Sequence, residues 1–317
     1  MRAINRLFIF FLMIACCTAA KSQILISYGS GPNYYVGSFN FDGSPINPTL
    51  ISGTQPFHDM VNAGDRLFVG TSGGVAEYTL SGQLVNPLLI STSNGASALS
   101  YANGSLFVAS YDQFQMGSGV IGQYSLSGQP INANLITGVD SPISMAISGT
   151  SLYVANYHGG MAGASIGLYT TFGATVNAAL ITNYIYAPFG LAIYGSLLYV
   201  SSERYSTPLP VYGHVDTFSL SGAPHQPNLI ATIPSRGIAV ANDTIYIAVN
   251  TAGYEFPPNG GLVESDLNGN SLLERAGLSG AQRILVVPEP RTWSLVLIGA
   301  VVIASVSFKG RRTVRTD

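Results

Sequence analysis

Short apolar runs alternate with polar turns along most of the chain, and one pattern recurs at nearly regular intervals. Each copy has an apolar run, a glycine turn and a second run, as in YSLSGQPINANLI, and an aromatic residue precedes the glycine by four positions in five copies. The sixth copy, SDLNGNSLLERAG, is degenerate. The turn glycines stand 39 to 49 residues apart and are Gly43, Gly82, Gly128, Gly173, Gly222 and Gly269.

Two further apolar runs, separated by a tight polar turn, follow each copy. Examples are SMAISGTSLYVAN and GIAVANDTIYIAVN, which are typical of strand hairpins. Four short strands in a repeat of about 45 residues are the content of one propeller blade, and no 3.6-residue apolar stripe favours helices. The pattern therefore predicts an all-β, six-bladed β-propeller, with five or seven blades as alternatives.

The last repeat is too short to complete its own blade. Arg283–Val287 matches the run Gly237–Val240, and the chain reaches Pro288 before a strand like Leu-Tyr-Val can follow. Near the other end, ILISYG from Ile24 has that missing pattern. We therefore expect the N-terminal strand to close the ring, which removes its open edges.

The strand order resembles that of NHL-repeat and related six-bladed propellers, whose repeats read roughly Gly-Ile-Ala-Val, turn, Ile-Tyr-Val-Ala. The resemblance rests on apolar pattern across residues 23–287 and implies architecture rather than function.

The first residues have the pattern of a secretory signal peptide, which we place at residues 1–22. Arg2 and Arg6 precede the apolar run from Leu7 to Cys16, which is too short to span a bilayer. Cleavage by signal peptidase fits after Ala20 or after Ser22. A lipoprotein signal ending at Cys16 is an alternative.

The last thirty residues, 288–317, carry three features in order. Pro288, Glu289 and Pro290 come first, then an apolar segment, and finally a basic end that includes Arg311 and Arg312. This order resembles the PEP-CTERM sorting signal, which implies a transmembrane helix, processing by an exosortase and transfer to the cell surface. Positive charge after the helix keeps that end in the cytoplasm. An unprocessed tail anchor is the alternative.

The composition of residues 23–287 excludes some classes of function. Five arginines, no lysine and thirteen acids give a net charge of about −8 (5 − 13), so no basic patch is available for nucleic acid. Both cysteines, Cys16 and Cys17, lie in the predicted signal peptide, which excludes a disulfide or cysteine site from the processed protein. The sequence also contains no nucleotide-binding fingerprint in a strand-to-helix context, and it predicts neither a cofactor nor a metal.

Propellers bind ligands at the mouth of the axial channel, near the starts of the innermost strands. If the Gly-Ile-Ala-Val runs are innermost, this mouth holds a mixed set of His58, Asp59, Arg236 and Arg283. Calcium-dependent gluconolactonases share the architecture, but their oxygen cage needs several carboxylates and Asp59 is the single acid here. Adjacent strand residues point to opposite faces, so we interpret His58 and Asp59 as solvated turn residues rather than a catalytic pair.

Aromatic residues and histidines follow the Leu-Tyr-Val strands, in loops that we expect to link each such strand to the next blade. On rigid loops, such side chains can stack on sugars or anchor a protein partner, although tyrosines also pack between blades. The candidates are Tyr34, Tyr35, Tyr111, Phe114, Tyr157, His158, Tyr205, Tyr212, His214, Tyr254 and Phe256.

The spelling Gly-x-Ser-x-Gly occurs twice, around Ser72 and Ser165, but no helix follows either serine, so we expect chance matches. The sequence favours a surface module that binds extracellular polysaccharide or a protein. A lactonase- or lyase-type enzyme and an envelope-assembly protein without a discrete ligand are the alternatives.

Overall fold

The computed structural model describes residues 22–157, 163–204, 212–231, 234–250 and 260–288. In these residues the chain forms six four-stranded antiparallel sheets, so the prediction of a six-bladed propeller is confirmed. We number the blades in chain order from the one that contains the N-terminal strands.

Blades 1 to 3 hold the first eleven strands and the last one. Blade 1 contains, from the axis outward, β24 (Arg283–Val287), β1 (Gln23–Ser30), β2 (Asn33–Phe39) and β3 (Pro45–Gly53). Blade 2 contains β4 (Asp59–Ala63), β5 (Arg66–Thr71), β6 (Gly74–Thr79) and β7 (Leu84–Ser91). Blade 3 contains β8 (Ala98–Ala102), β9 (Ser105–Ser110), β10 (Gly119–Ser125) and β11 (Pro130–Val139).

Blades 4 to 6 repeat this order with consecutive strands. Blade 4 contains β12 (Pro142–Ser148), β13 (Ser151–Asn156), β14 (Ser165–Thr170) and β15 (Thr175–Ile181). Blade 5 contains β16 (Ala187–Tyr194), β17 (Leu197–Arg204), β18 (Tyr212–Ser219) and β19 (Pro224–Ala231). Blade 6 contains β20 (Ser235–Ala241), β21 (Thr244–Val249), β22 (Gly261–Asp266) and β23 (Ser271–Ala276).

The first strands of the blades contact one another in a ring around the axis, so the Gly-Ile-Ala-Val runs are innermost. Six apolar clusters fill the six interfaces between neighbouring blades. Between blades 3 and 4, for example, Phe107 and Ile121 pack with Leu152 and Val154. Because each blade is buried on both faces by its neighbours, its middle strands read as nearly continuous apolar runs.

The ring closes in blade 1, where the two ends of the chain pair. Strand β24 lies antiparallel to β1, with Ile24 opposite Val286 and Leu25 opposite Leu285. The predicted closure by the N-terminal strand is therefore confirmed. One C-terminal strand and three N-terminal strands form this blade, so the ring is fastened by main-chain hydrogen bonds between segments more than 250 residues apart.

The recurring glycine lies in the turn between the third and fourth strands of each blade. All six have a positive φ, between 71° and 91°. In blades 2 to 6 the turn also presses against a leucine of the preceding blade. A Cβ on Gly128 would overlap the carbonyl oxygen of Leu89, and one on Gly173 would meet that of Leu135. The repeat thus requires glycine for its backbone conformation and for close packing between blades.

The predicted signal peptide and sorting tail lie outside the described residues, apart from Ser22 and Pro288. Glu289, Pro290, Arg311 and Arg312 are therefore not described. Within the described part of the chain, no helix has the length and apolar character needed to cross a membrane.

Candidate functional site

The inner strands of all six blades begin at the same end of the axial channel, which we call the mouth face. In an antiparallel blade the second strand returns to this end, so loops between second and third strands lie here, as do the connections between blades. The turns between third and fourth strands lie on the opposite face. Residues far apart in sequence therefore meet at the mouth face.

Asp59 and Arg283, the first residues of β4 and β24, cap the channel. The carboxylate of Asp59 accepts hydrogen bonds from the backbone N–H groups of Leu99 (2.7 Å) and Met60 (2.9 Å), and its Oδ1 lies 3.9 Å from Nε of Arg283. Arg283 reaches across the axis to blade 4, where its Nη2 donates to the carbonyl oxygen of Ile143 (2.9 Å). Below this cap the channel encloses about 260 Å³, lined largely by inner-strand residues such as Met60.

The interpretation of His58 and Asp59 as solvated turn residues is wrong. Asp59 begins strand β4, and its side chain is only 15% exposed. Asp59 lines the channel, whereas His58, the half-buried residue directly before β4, lines a separate pocket, because neighbouring residues of an extended chain point in opposite directions.

Arg236 lies at the mouth in an aromatic and acidic environment. Its Nε donates to Oε1 of Glu203 (2.9 Å), and its guanidinium lies 4.0 Å from the ring centre of Phe189. Tyr157 also packs against Phe189, with the two ring centres 5.2 Å apart. Arg236 and Arg283 thus each have an acidic neighbour, so their positive charges are offset locally.

Burial sets the protonation of the mouth residues. It raises the pKa of Asp59 to about 6, although the charge of Arg283 and the two backbone hydrogen bonds act in the opposite direction. Burial, followed by the charge of Arg283, lowers the pKa of His58, so its imidazole is neutral at pH 7. Burial and then the neighbouring Tyr157 raise the pKa of Tyr111.

A pocket of about 530 Å³ opens beside the channel, between blades 2 and 3. Blade 2 contributes His58 and Ser72, and the loop between β9 and β10 contributes the aromatic residues. Asp112 shapes this loop, because its Oδ1 accepts a hydrogen bond from the N–H of Phe114 (2.9 Å). The ring of Phe114 is 89% exposed. The lining consists of His58, Ser72, Asn94, Ala96, Ser97, Tyr111, Asp112, Gln113 and Phe114.

The structure brings Ser72, the serine of the first Gly-x-Ser-x-Gly spelling, close to His58. The Nε2 of His58 lies 3.4 Å from Oγ of Ser72, in the tight turn between β5 and β6. The second spelling has no such arrangement. Ser165 is buried in β14, where its Oγ accepts a hydrogen bond from Nδ2 of Asn156 (3.2 Å).

The prediction that the aromatic loops link one blade to the next is wrong. The Leu-Tyr-Val strand is the second of its blade, so the loop after it leads to the third strand of the same blade. Tyr34 and Tyr35 do not lie in a loop at all. They belong to β2, where both are half-buried, and the ring centres of Tyr35 and Tyr28 are 5.5 Å apart.

The other aromatic candidates are placed differently from one another. Tyr111 and Tyr157 pack half-buried around Ile143 and Phe189 near the mouth. His214 is buried in β18. Tyr212 begins that strand, but its side chain is not described, and His158, Tyr205, Tyr254 and Phe256 lie outside the described residues. Among the candidates whose side chains are described, Phe114 alone is exposed, so tyrosine packing between strands and blades accounts for most of them.

Sequence reasoning missed the polar neighbours of Phe114, namely Asn94, Asp112 and Gln113. Asp112 and Gln113 lie between Tyr111 and Phe114 in the chain, and Asn94 lies in the connection that leads into blade 3. Nothing in the repeat marks these positions, because they belong to loops that differ from blade to blade. Among the described residues, no cluster of three or more His, Cys, Asp or Glu side chains is arranged to hold a metal ion.

No family model matches the sequence, and no curated protein matches it. Three solved structures are similar in fold. They are a proposed oxidoreductase (glucose dehydrogenase) from Thermus thermophilus (TM-score 0.53, 13% identity, 72% of this chain and 86% of that chain), a protein of unknown function from Bacteroides caccae (0.52, 12%, 84% and 99%) and a functionally unknown protein from Desulfotomaculum acetoxidans (0.51, 12%, 85% and 99%). At such identities the similarity shows the six-bladed propeller architecture alone.

Proposed function

We propose that the chain is exported and sorted to the cell surface, where its propeller binds extracellular polysaccharide. The proposal of export rests on the signal-peptide pattern of residues 1–22, and that of sorting on the PEP-CTERM resemblance of residues 288–317. Signal peptidase and an exosortase are the processing partners that these patterns imply. The C-terminal apolar segment would hold the protein in the membrane until the tail is processed.

The pocket between blades 2 and 3 is the observation that carries the binding proposal. Its polar side chains are hydroxyls, amides, a neutral imidazole and one carboxylate, with no lysine or arginine among the lining residues. Such groups can pair with the hydroxyls of an uncharged sugar, while an exposed ring such as Phe114 can stack on its apolar face. A protein partner is the alternative occupant.

Replacing Phe114 with alanine is expected to weaken polysaccharide binding about tenfold. The substitution removes a stacking contact that contributes about 1.4 kcal/mol to the free energy of binding. Affinity electrophoresis through gels that contain extracellular polysaccharide from the producing cells measures this change. Phe172→Ala is the matched control, since this ring is 80% exposed but lies in the turn between β14 and β15, on the opposite face.

Either of two results would contradict the binding proposal. One is that the wild-type protein migrates at the same rate with and without polysaccharide. The other is that the polysaccharide retards the Phe114→Ala and Phe172→Ala variants equally. If the propeller binds a protein instead of a glycan, and Phe114→Ala weakens that binding while Phe172→Ala does not, the pocket is assigned to a protein partner.

The contact between His58 and Ser72 favours ester or lactone hydrolysis as a second candidate function. The neutral imidazole can take the proton as Ser72 Oγ attacks the ester carbonyl, and can return it to the departing alcohol. Water then cleaves the acyl-serine and regenerates the hydroxyl group. Within the described part of the chain no carboxylate contacts this imidazole, so the pair is simpler than a triad.

If the pair is catalytic, Ser72→Ala abolishes hydrolysis of p-nitrophenyl acetate or of a simple lactone. The rate of the wild-type protein should stay high down to a pH below 6.5, because the pKa of His58 is lowered. Ser127→Ala, in a turn on the opposite face, serves as the control. Equal rates for wild type and Ser72→Ala would eliminate this candidate.

A further inference from the structure

Two exposed tyrosines stand on the connection between blades 4 and 5, residues 182–186. Tyr184 is 52% exposed and Tyr186 is 43% exposed, whereas Ile185 between them is buried in the apolar cluster of these two blades. This loop leads into β16, the innermost strand of blade 5, and therefore lies on the mouth face, where the inner strands begin. Neither tyrosine was among the candidates that the sequence pattern suggested.

Tyr184 holds a backbone conformation that a bulky residue rarely adopts. Its φ is 68°, in the left-handed region, which costs an L-residue about 1–2 kcal/mol. Such a conformation persists only where the surrounding structure enforces it, and it often marks a functional loop.

A buried polar cluster in blade 5 anchors this loop. Nε2 of His214 has three oxygen neighbours, namely Oγ of Ser202 (3.0 Å), the carbonyl oxygen of Tyr184 (3.2 Å) and Oδ2 of Asp216 (3.2 Å). Because a carbonyl can only accept, Nε2 must carry a proton to bond Tyr184. The backbone N–H of Asn228 donates to the other oxygen of Asp216 (2.8 Å).

This cluster has the residue types of a Ser-His-Asp triad but not its geometry. In a triad the carboxylate contacts one ring nitrogen and the serine the other, whereas here both lie at Nε2. Ser202 is also completely buried, so substrate cannot reach it. The cluster therefore serves to position the loop, and the ring of Tyr186 packs edge-on against His214, with centres 6.3 Å apart.

We propose that Tyr184 and Tyr186 form a second stacking subsite for the same polysaccharide. The inference rests on the proposed function, because it takes the ligand from the pocket at Phe114. Exposed phenol rings on an anchored loop suit sugars, whose apolar faces stack on the ring while their hydroxyl groups bond the phenol oxygen. The net negative charge of residues 23–287 repels nucleic acids and anionic membranes, so both are unfavourable partners.

The two subsites lie on the same face, in blade 3 and before blade 5. A long polymer can occupy both, and its second contact is then intramolecular, which raises the overall affinity. Because the subsites belong to different blades, we expect a fragment of two sugars to contact only one of them at a time. Polymer and fragment should therefore respond differently to loss of the tyrosines.

The test compares the full-length protein with a Tyr184→Ala/Tyr186→Ala variant. We expect binding of the extracellular polysaccharide from the producing cells to weaken at least tenfold. Binding of its disaccharide fragments at the Phe114 pocket, measured by titration calorimetry, should change less than twofold. Phe172→Ala is again the control, and thermal unfolding of each variant shows that it is folded at the temperature of the binding measurement.

His214 is a positioning residue and needs its own readout. His214→Ala should reduce polymer binding as much as loss of both tyrosines, whereas His214→Gln, whose amide can still donate to the Tyr184 carbonyl, should restore most of it. If His214→Gln is as weak as His214→Ala, the anchoring role is wrong.

Failure of the inference and failure of the proposed function are distinguishable. If Phe114→Ala weakens polymer binding and the double tyrosine variant does not, the second subsite is refuted while the pocket stands. If neither variant changes binding, both proposals fall. Equal losses for polymer and disaccharide in the double variant would show that the tyrosines belong to one shared site and would overturn the two-subsite inference.

Discussion

Replacing Gly128 with alanine should lower the free energy of unfolding by about 3 kcal/mol, one of the largest single-residue effects expected in this propeller. The positive φ of 80° costs an alanine about 1–2 kcal/mol. The added methyl group would also overlap the carbonyl oxygen of Leu89, and the shift of backbone that relieves this costs about 1–3 kcal/mol more. Urea unfolding followed by circular dichroism measures the change.

Gly104→Ala is the matched control for this prediction. Gly104 has a φ of 77°, but nothing lies within 4 Å of the position its Cβ would take. Both variants also lose the same backbone freedom in the unfolded chain, so this contribution cancels. The Gly104 variant should lose only about 1–2 kcal/mol. Equal losses would show that contact between blades does not require glycine at position 128.

The turn glycine illustrates how far the sequence could predict the fold. Its regular recurrence revealed six units, because every blade needs the same turn in the same place. Its partner, the leucine of the preceding blade, also recurs at one position of the repeat, but the pattern alone does not show that this leucine contacts the glycine of the next blade. Closure was predictable because Ile24–Gly29 supplies the strand that the last repeat lacks.

The error about the aromatic loops has a physical cause. A repeat is defined only up to a cyclic shift, so the period alone does not show where one sheet ends and the next begins. Hydrogen bonding decides this, and it places Tyr111 and Phe114 within blade 3. If the Leu-Tyr-Val strand is taken as the end of a unit, the boundary between blades is placed after the second strand instead of after the fourth.

The candidate site was predictable only in part. Asp59 and Arg283 could be assigned to the mouth because they begin repeated strands. The pocket combines His58, Asn94 and Phe114, which occupy three unrelated positions of the repeat. Likewise, Tyr184 looks ordinary in the sequence, because neither its backbone conformation nor its contact with His214 has a sequence signature.

Asp59→Asn should remove a large part of the pH dependence of stability. The pKa of Asp59 is about 6 in the folded protein and 3.8 in the absence of perturbation, so burial disfavours the charged form. This difference corresponds to about 3 kcal/mol. Urea unfolding of both proteins between pH 3 and pH 8 measures it.

The direction follows from proton binding. Below pH 3.8 the carboxyl group is protonated in both states, and its contribution to stability is fully present. Between pH 3.8 and about 6 the folded protein holds the proton that the unfolded chain has lost, so stability falls as the pH rises. Burial also raises the pKa of Asp216 and Glu264, which adds to the fall in the wild-type protein. The difference between wild type and Asp59→Asn isolates the contribution of Asp59.

Arg283→Gln tests the same carboxyl group from the other side. The charge of Arg283 lowers the pKa of Asp59, so removing it should raise that pKa further and extend the fall in stability to higher pH. In the double variant with Asp59→Asn this extension should vanish, because no ionisable carboxyl group is left at position 59. If wild type and Asp59→Asn show parallel pH profiles, burial does not raise the pKa of Asp59. The cap of the channel would then be a solvated ion pair rather than a buried one.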